Sequence, residues 1–239
     1  MVNIRIGMKL KNYDNKDRIS FIPLIVLGLI LILTSNCKKD DSTDPTTITD
    51  IDGNVYKTVT IGTQLWMAED LKTTKLNDNI NIPLVGDNMT WRNLTTPGYC
   101  FYGSDISAYG VNYNFYAVSN GKLCPKGWHV PSDEEWTILT SYLGGDSIAG
   151  GKMKEAGTSH WESPNEGATN KSGFTALPGH YRNDYGSYFD YDGEIVFWWS
   201  SSISDTITAF SRVITVSSNS IARMYHQKNY GFYVRCMRN

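Results

Sequence analysis

One short segment near the middle of the chain constrains local structure more than any other. Ser132 can cap a helix, and Glu135 can hydrogen-bond back to the backbone N–H of the cap, which together make a capping box. Trp136, Leu139 and Leu143 then recur on one face of that helix. The two glycines that follow are typical of a helix end. We therefore expect a helix here that buries one face, with sheet and loop packed around it.

The first 36 residues have the composition of a signal peptide. A basic stretch precedes an apolar run at residues 19–33, which is shorter than the roughly 20 residues that span a membrane. Small residues follow this run before the lone Cys37, and this arrangement resembles a bacterial lipobox, in which the cysteine becomes the lipidated N-terminus. We therefore predict a lipoprotein signal peptide at residues 1–36 and a lipid on Cys37. An uncleaved signal anchor is the alternative.

Residues 37–49 are predicted to form a disordered tether, because they are rich in Asp, Ser and Thr and have no apolar face. Lys39, Asp40 and Asp41 resemble a surface-export signal found in bacteria of the Bacteroidetes type. These features predict a protein that is anchored in the bacterial outer membrane and exposed at the cell surface. Its first partner would be membrane lipid, through Cys37.

The charge of the remaining chain argues against nucleic-acid binding. Residues 1–36 contain five of the 22 Lys and Arg residues and two of the 24 Asp and Glu residues, which leaves 17 basic against 22 acidic residues and a net charge of −5. A modestly acidic exported domain does not attract a phosphate backbone. We expect no nucleic-acid partner.

From residue 50 onward the pattern predicts one folded domain that extends to residue 239. Alternating apolar residues favour strands, and Gly-punctuated polar stretches favour loops. Strands are expected at residues 55–61, 65–71, 99–102, 174–177, 195–202, 209–216, 221–225 and 230–237, with a tyrosine-rich hairpin at 181–193. A short helix is expected at 113–118, and long loops are expected at 72–96 and 150–173.

Three cysteines remain after Cys37, and export places them in an oxidising compartment. Three thiols allow one bridge and one free cysteine. We favour a disulfide between Cys124 and Cys236, which would tie the approach to the helix to the last strand. A bridge between Cys100 and Cys236 is the alternative.

Five motifs in a fixed order make the chain resemble a known family. They are Trp-Met-Ala-Glu-Asp-Leu at 66–71, Gly-Trp-His-Val-Pro-Ser-Asp-Glu-Glu-Trp at 127–136, Gly-Phe-Thr-Ala-Leu-Pro-Gly at 173–179, Phe-Trp-Trp-Ser-Ser at 197–201 and Gly-Phe-Tyr-Val-Arg-Cys at 231–236. Residues 50–239 resemble the Fibrobacter succinogenes major paralogous domain family, whose members are mostly of unknown function and are often lipoproteins.

A more distant similarity relates residues 130–136 and 231–235 to the formylglycine-generating enzyme and to the C-type lectin-like fold. That resemblance implies an α+β fold, with a twisted antiparallel sheet, one or two helices and long irregular loops. The residue pattern independently predicts the same loop-rich α+β class.

The residues that would carry catalysis in that relative are missing here. The resemblance to the formylglycine-generating enzyme implies a copper-binding cysteine pair shortly before the closing Gly-Phe strand, yet residues 220–230 contain no cysteine. The four histidines, His129, His160, His180 and His226, do not stand at the spacing of a metal site. We predict no catalytic residue, metal or cofactor. We expect a binding protein rather than an enzyme.

The best candidate for a binding surface is the tyrosine-rich hairpin. It carries Tyr181, Asp184, Tyr185, Tyr188 and Tyr191, and tyrosine offers apolar area with a polar handle for glycans or protein partners. The competing interpretation is that these rings fill a loop-rich core. The sequence predicts a non-catalytic binding module for a glycan or an envelope protein. An envelope enzyme with an unrecognised site and a structural spacer lipoprotein remain the alternatives.

Overall fold

The computed structural model describes residues 46–103, 109–189 and 191–239. The predicted signal peptide, Cys37 and most of the predicted tether lie outside these residues. Within them, no helix is long and apolar enough to cross a membrane. The prediction of a disordered tether was wrong for its last three residues, because Thr47–Thr49 form a strand that pairs with residues 55–57.

Twelve strands and four helices are formed by the described residues. The strands are β1 Thr47–Thr49, β2 Val55–Ile61, β3 Gln64–Met67, β4 Tyr99–Cys100, β5 Asn112–Tyr113, β6 Trp128–His129, β7 Tyr181–Arg182, β8 Tyr188–Phe189, β9 Ile195–Ile203, β10 Thr208–Thr215, β11 Ile221–Gln227 and β12 Met237–Arg238. The helices are α1 Asn88–Arg92, α2 Phe115–Val118, α3 Asp133–Tyr142 and α4 Asp146–Met153.

Helix α3 confirms the predicted capping box. The Ser132 hydroxyl accepts a hydrogen bond from the Glu135 backbone N–H at 3.2 Å, and the Glu135 carboxylate accepts one from the Ser132 N–H at 2.7 Å. Trp136, Leu139 and Leu143 are all buried. The helix therefore begins and faces the core where the local pattern placed it.

The strands form four antiparallel sheets, which confirms the α+β class. The largest has the order β1-β2-β3-β12-β6, and a second has the order β11-β10-β9. Two small hairpins, β4-β5 and β7-β8, complete the set. Every pair of named strands is antiparallel.

The closing segment, residues 231–236, connects these sheets at the centre of the domain. Gly231 bridges to β7, Phe232 to β5 and Tyr233 to β9 before the chain enters the large sheet as β12. All six residues are buried. The prediction of one continuous strand at 230–237 was therefore wrong in detail, because the segment changes partner almost residue by residue.

A buried ion pair joins this segment to the first family-like motif. Arg235 donates from Nε to Asp70 at 2.7 Å, and the Trp198 indole donates to the same carboxylate oxygen at 2.8 Å. The Arg235 guanidinium lies 4.1 Å from the centre of the Phe174 ring. All seven tryptophans of the chain are buried, so the tryptophan content as a whole serves the core.

The prediction of a loop starting at residue 150 was wrong, because helix α4 runs to Met153. A Cβ on Gly150 would lie 2.3 Å from the carbonyl oxygen of Ser220, and one on Gly151 would lie 2.5 Å from that of Gly167. Glycine is required at these two positions because helix α4 packs directly against the backbone of Ser220 and Gly167. The strand expected at 174–177 is also absent from the described structure, where Ala176 makes a single bridge to Lys154.

Cys124 and Cys236 form a disulfide, and Cys100 is a buried free thiol. Of the two pairings that the sequence left open, the favoured one is formed. The bridge joins residues 112 positions apart in the chain.

Candidate functional site

The predicted tyrosine-rich hairpin is formed by β7 and β8, which pair Tyr181 with Phe189 and Arg182 with Tyr188. Because side chains alternate along a strand, the hairpin has two different faces. The five candidate residues are therefore not brought together as one surface. They divide into a stacked group, a buried group and the turn.

Three rings form the stacked group. The planes of Tyr181, Phe189 and Tyr191 lie within 11° of one another, with ring centres 5.2–6.1 Å apart. Tyr181 also meets the buried Phe197 ring edge-on at 4.9 Å. Tyr191 is 40% exposed, whereas Tyr181 and Phe189 are half-buried. These rings mainly cover the core, and Tyr191 alone offers a substantial free surface.

The opposite face of the hairpin is held by Arg182, which is fully buried. Its guanidinium lies between two rings, 4.6 Å from the centre of Trp91 and 4.7 Å from that of Tyr188. It donates hydrogen bonds to four oxygens, the carbonyls of Val85, Gly86 and Gly186 and the amide oxygen of Asn88. Tyr188 is thus part of a structural clamp, and the clamp joins the hairpin to the segment that leads into α1.

The turn of the hairpin lies directly on helix α1. Gly186 has φ +81°, and a Cβ there would lie 2.2 Å from the backbone oxygen of Asn88, so only glycine permits this contact. The contact brings Tyr185, which is 61% exposed, beside Arg92 in the last turn of α1. The Arg92 guanidinium lies 5.2 Å from the centre of the Tyr185 ring.

A cleft of about 400 Å³ opens beside this pair. We call it the hairpin cleft. It is lined by residues 92–95, Tyr116, residues 206–207 and residues 227–229. Its volume is within the range of ligand sites in proteins, about 300–1,000 Å³.

Hydrogen bonds orient three side-chain amides of the cleft. Asn229 donates from Nδ2 to the backbone oxygens of Arg92 and Asp184, both at 3.0 Å. Gln227 donates from Nε2 to the Asp184 carboxylate at 3.0 Å, and Asn93 donates to the Met89 carbonyl at 2.9 Å. Because each partner is an acceptor, the nitrogen of each amide is identified. Their amide oxygens accept no hydrogen bond from the described residues and are available to a ligand.

Asp184, one of the predicted site residues, does not line the cleft but contacts residues that do. Its carboxylate accepts a hydrogen bond from Gln227 at 3.0 Å, and its charge acts on the Tyr230 hydroxyl. Burial, and then the Asp184 charge, raise the pKa of Tyr230 to about 12. The hydroxyl therefore remains protonated at physiological pH.

A second cavity, of about 460 Å³, lies at the other end of the hairpin, beyond Tyr191. Its lining includes Asp192, Glu162 and His160. His160 is hydrogen-bonded through Nδ1 to Glu155 at 2.8 Å.

The other three histidines do not line this cavity. His129 is held between Glu135 and Asn239, at 3.0 and 2.7 Å, and His226 contacts Ser211 at 3.0 Å. The residues described here contain no group of three or more metal-binding side chains arranged around one point.

Comparison with known proteins gives one finding about family. The Fibrobacter succinogenes major domain matches residues 59–238, about three quarters of the chain. The chain belongs to this family. No curated protein and no solved structure matches it.

The motifs by which the chain resembles this family build the centre of the domain. Trp66, Trp136, Phe174 and Trp198 come from four different motifs, and their ring centres lie 4.9–6.0 Å apart in contacting pairs. Asp70 and Arg235 close the same cluster. The hairpin cleft is built by other residues of the Fibrobacter succinogenes major domain, in the segments between these motifs.

Sequence reasoning missed Arg92, Arg182 and the amides of the cleft. Helix α1 lay inside the predicted long loop, although Asp87 caps it by accepting a hydrogen bond from the Thr90 N–H at 2.8 Å. An Asp three residues before a Thr is a local signal that could have indicated this turn of helix. No local signal indicates that α1 and the hairpin, about 90 residues apart, meet.

Proposed function

We propose that this protein is a lipid-anchored lipoprotein of the bacterial outer membrane that displays a non-catalytic glycan-binding module at the cell surface. In this proposal, residues 1–36 are the signal peptide, Cys37 carries the lipid, and the tether lies within residues 37–49, ahead of strand β1. The hairpin cleft is the binding site. The lectin-like variant of the α+β fold is part of the same proposal, supported by the capped helix α3 and the central position of residues 231–235.

The observation that carries the proposal is an exposed tyrosine beside a polar cleft with oriented amides. The Tyr185 side chain is 61% exposed, and sugars offer apolar C–H faces that stack on aromatic rings. The amide oxygens of Asn93, Gln227 and Asn229 are acceptors for sugar hydroxyl groups. Because internal hydrogen bonds already orient these amides, binding costs little side-chain entropy.

The proposal is tested with the full chain in a non-ionic detergent on a glycan array, followed by calorimetry on each hit. We expect Tyr185→Ala to weaken binding at least about tenfold, or about 1.4 kcal/mol, as for an aromatic hot spot. Tyr142→Ala is the matched control, because Tyr142 is 67% exposed on α3 and outside the cleft. Failure to bind any glycan, or equal loss in both variants, would count against the proposal and favour a protein partner or a spacer role.

A second candidate function is an envelope enzyme acting at the cavity beside Tyr191. The observation that favours it is the His160–Glu155 pair, since a carboxylate and the imidazole that it orients are two of the three members of a hydrolytic triad. Screening ester and glycoside substrates with the native protein and with His160→Gln tests it. An activity that the substitution abolishes would support this candidate, and an activity that persists would refute it.

A further inference from the structure

The residues that line the hairpin cleft carry only positive charges, although the domain as a whole is acidic. The chain without residues 1–36 carries a net charge of −5. The residues that line the cleft nevertheless include Arg92 and Lys228 and no carboxylate. A ligand in the cleft therefore meets two positive side chains at close range.

Arg92 is the more informative of the two cations. It is exposed, and it forms no ion pair with any residue in the described part of the chain. By contrast, Arg212 and Arg223 both bind the carboxylate of Asp133, at 2.6 and 2.9 Å. Contact with the Tyr185 ring holds the Arg92 guanidinium at the cleft and leaves its N–H groups free to bind an acid.

Two carboxylates border the cleft, and both are occupied by local donors. Asp184 accepts a hydrogen bond from the Gln227 amide at 3.0 Å. Asp205 accepts from the backbone N–H groups of Ile207 and Thr208, both at 2.7 Å. Neither carboxylate is paired with Arg92, so the guanidinium lacks an acidic partner within the described structure.

We propose that the hairpin cleft selects glycans that carry a carboxylate, such as uronic acids, and that Arg92 binds this carboxylate. This inference rests on the proposed glycan-binding function. The planar guanidinium fork matches a carboxylate bidentately. Lys228, whose ammonium donates to the Thr206 carbonyl at 2.8 Å, adds a second charge with N–H donors to spare. The amide oxygens then bind the hydroxyl groups of the same sugar.

The test compares trigalacturonate with its methyl ester, which has the same sugars and no charge. Calorimetry on the full chain in non-ionic detergent should show the acid binding at least tenfold tighter than the ester at low salt. Raising the salt concentration should reduce that difference. Arg92→Gln should bring the ratio of the acid and ester dissociation constants, both measured on that variant, to about one, with an unaltered urea midpoint showing that the variant is folded. Lys171→Gln removes one exposed charge outside the cleft and should retain the difference.

The possible failures are distinguishable. If the ester binds as tightly as the acid, or if Arg92→Gln weakens both equally, the carboxylate assignment is wrong and glycan binding stands. If a sulfated, uronate-free oligosaccharide of κ-carrageenan binds more tightly than trigalacturonate, the assignment to carboxylates is also overturned. If acid, ester and every neutral glycan of the array fail to bind, the proposed function itself fails.

Discussion

Replacing Arg182 by methionine tests whether the hairpin is held in place by one buried cation. The substitution keeps an unbranched apolar stem between the rings of Trp91 and Tyr188 and removes every hydrogen-bond donor. Four oxygens lose a partner, and two of them, the carbonyls of Val85 and Gly186, belong to buried residues. The other two belong to exposed residues and can be hydrated.

The expected loss of stability follows from these two buried acceptors. Leaving a buried acceptor unsatisfied costs about 1–3 kcal/mol, which gives about 2–6 kcal/mol for the pair. Loss of the cation–π contacts adds to this cost, while removal of a buried charge offsets part of it. We expect Arg182→Met to lower the free energy of unfolding by about 3 kcal/mol. Arg182→Lys keeps the charge but cannot reach all four oxygens, so its loss should be intermediate.

Urea unfolding of the full chain in detergent, followed by circular dichroism, measures this change. Arg223→Met is the matched control, because Arg223 is an exposed partner of Asp133 and such pairs contribute about 1 kcal/mol or less. Hydrogen exchange should also accelerate at the amides of Arg182 and Asn183, which form backbone hydrogen bonds within and beside the hairpin. If Arg182→Met loses no more stability than Arg223→Met, the clamp described above does not hold the hairpin.

Three further predictions concern the scaffold and are checked by the same unfolding assay. Replacing Cys124 and Cys236 together by alanine should cost about 5 kcal/mol, the chain-entropy value for a loop of 112 residues; a loss below about 1 kcal/mol would contradict it. Gly150→Ala should destabilise the protein although alanine is the better helix former by about 1 kcal/mol, because its Cβ would lie 2.3 Å from the Ser220 oxygen; a gain in stability would be the opposite result. Burial lowers the pKa of His226 from 6.5 to about 4, so the unfolded chain binds the proton first. The native protein should therefore lose up to about 3 kcal/mol as the pH falls from 6.5 to 4, and His226→Gln should lack that part of the slope.

The parts of the fold that were predictable are those whose causes are local. Helix α3 has its cap, its reciprocal hydrogen bond and its apolar face within a dozen residues, so the pattern alone locates it. Helix α4 was missed because its two glycines are explained by contacts with Ser220 and Gly167. Ser220 is 70 positions from Gly150, and a local sequence pattern cannot indicate a contact over that distance.

In the candidate site, too, local features were predictable and contacts between distant segments were not. The tyrosine-rich composition pointed to a segment in which the Tyr185 and Tyr191 rings are exposed. It could not separate these from Tyr188, whose side chain points the other way and packs on Arg182. The hairpin cleft itself combines four separate segments of the chain, and only tertiary structure brings Arg92 and Gln227 to the same opening.

The position of strand β12 has a consequence for the timing of folding. Met237 pairs with Trp66 on one side and His129 on the other, so a residue made after both of its partners occupies an interior place in the largest sheet. During synthesis the sheet therefore has an unfilled gap between strands that were made much earlier. Pairings between such distant residues form slowly, and the disulfide cannot close before Cys236 has emerged. Until then the chain is unable to complete either its largest sheet or its core.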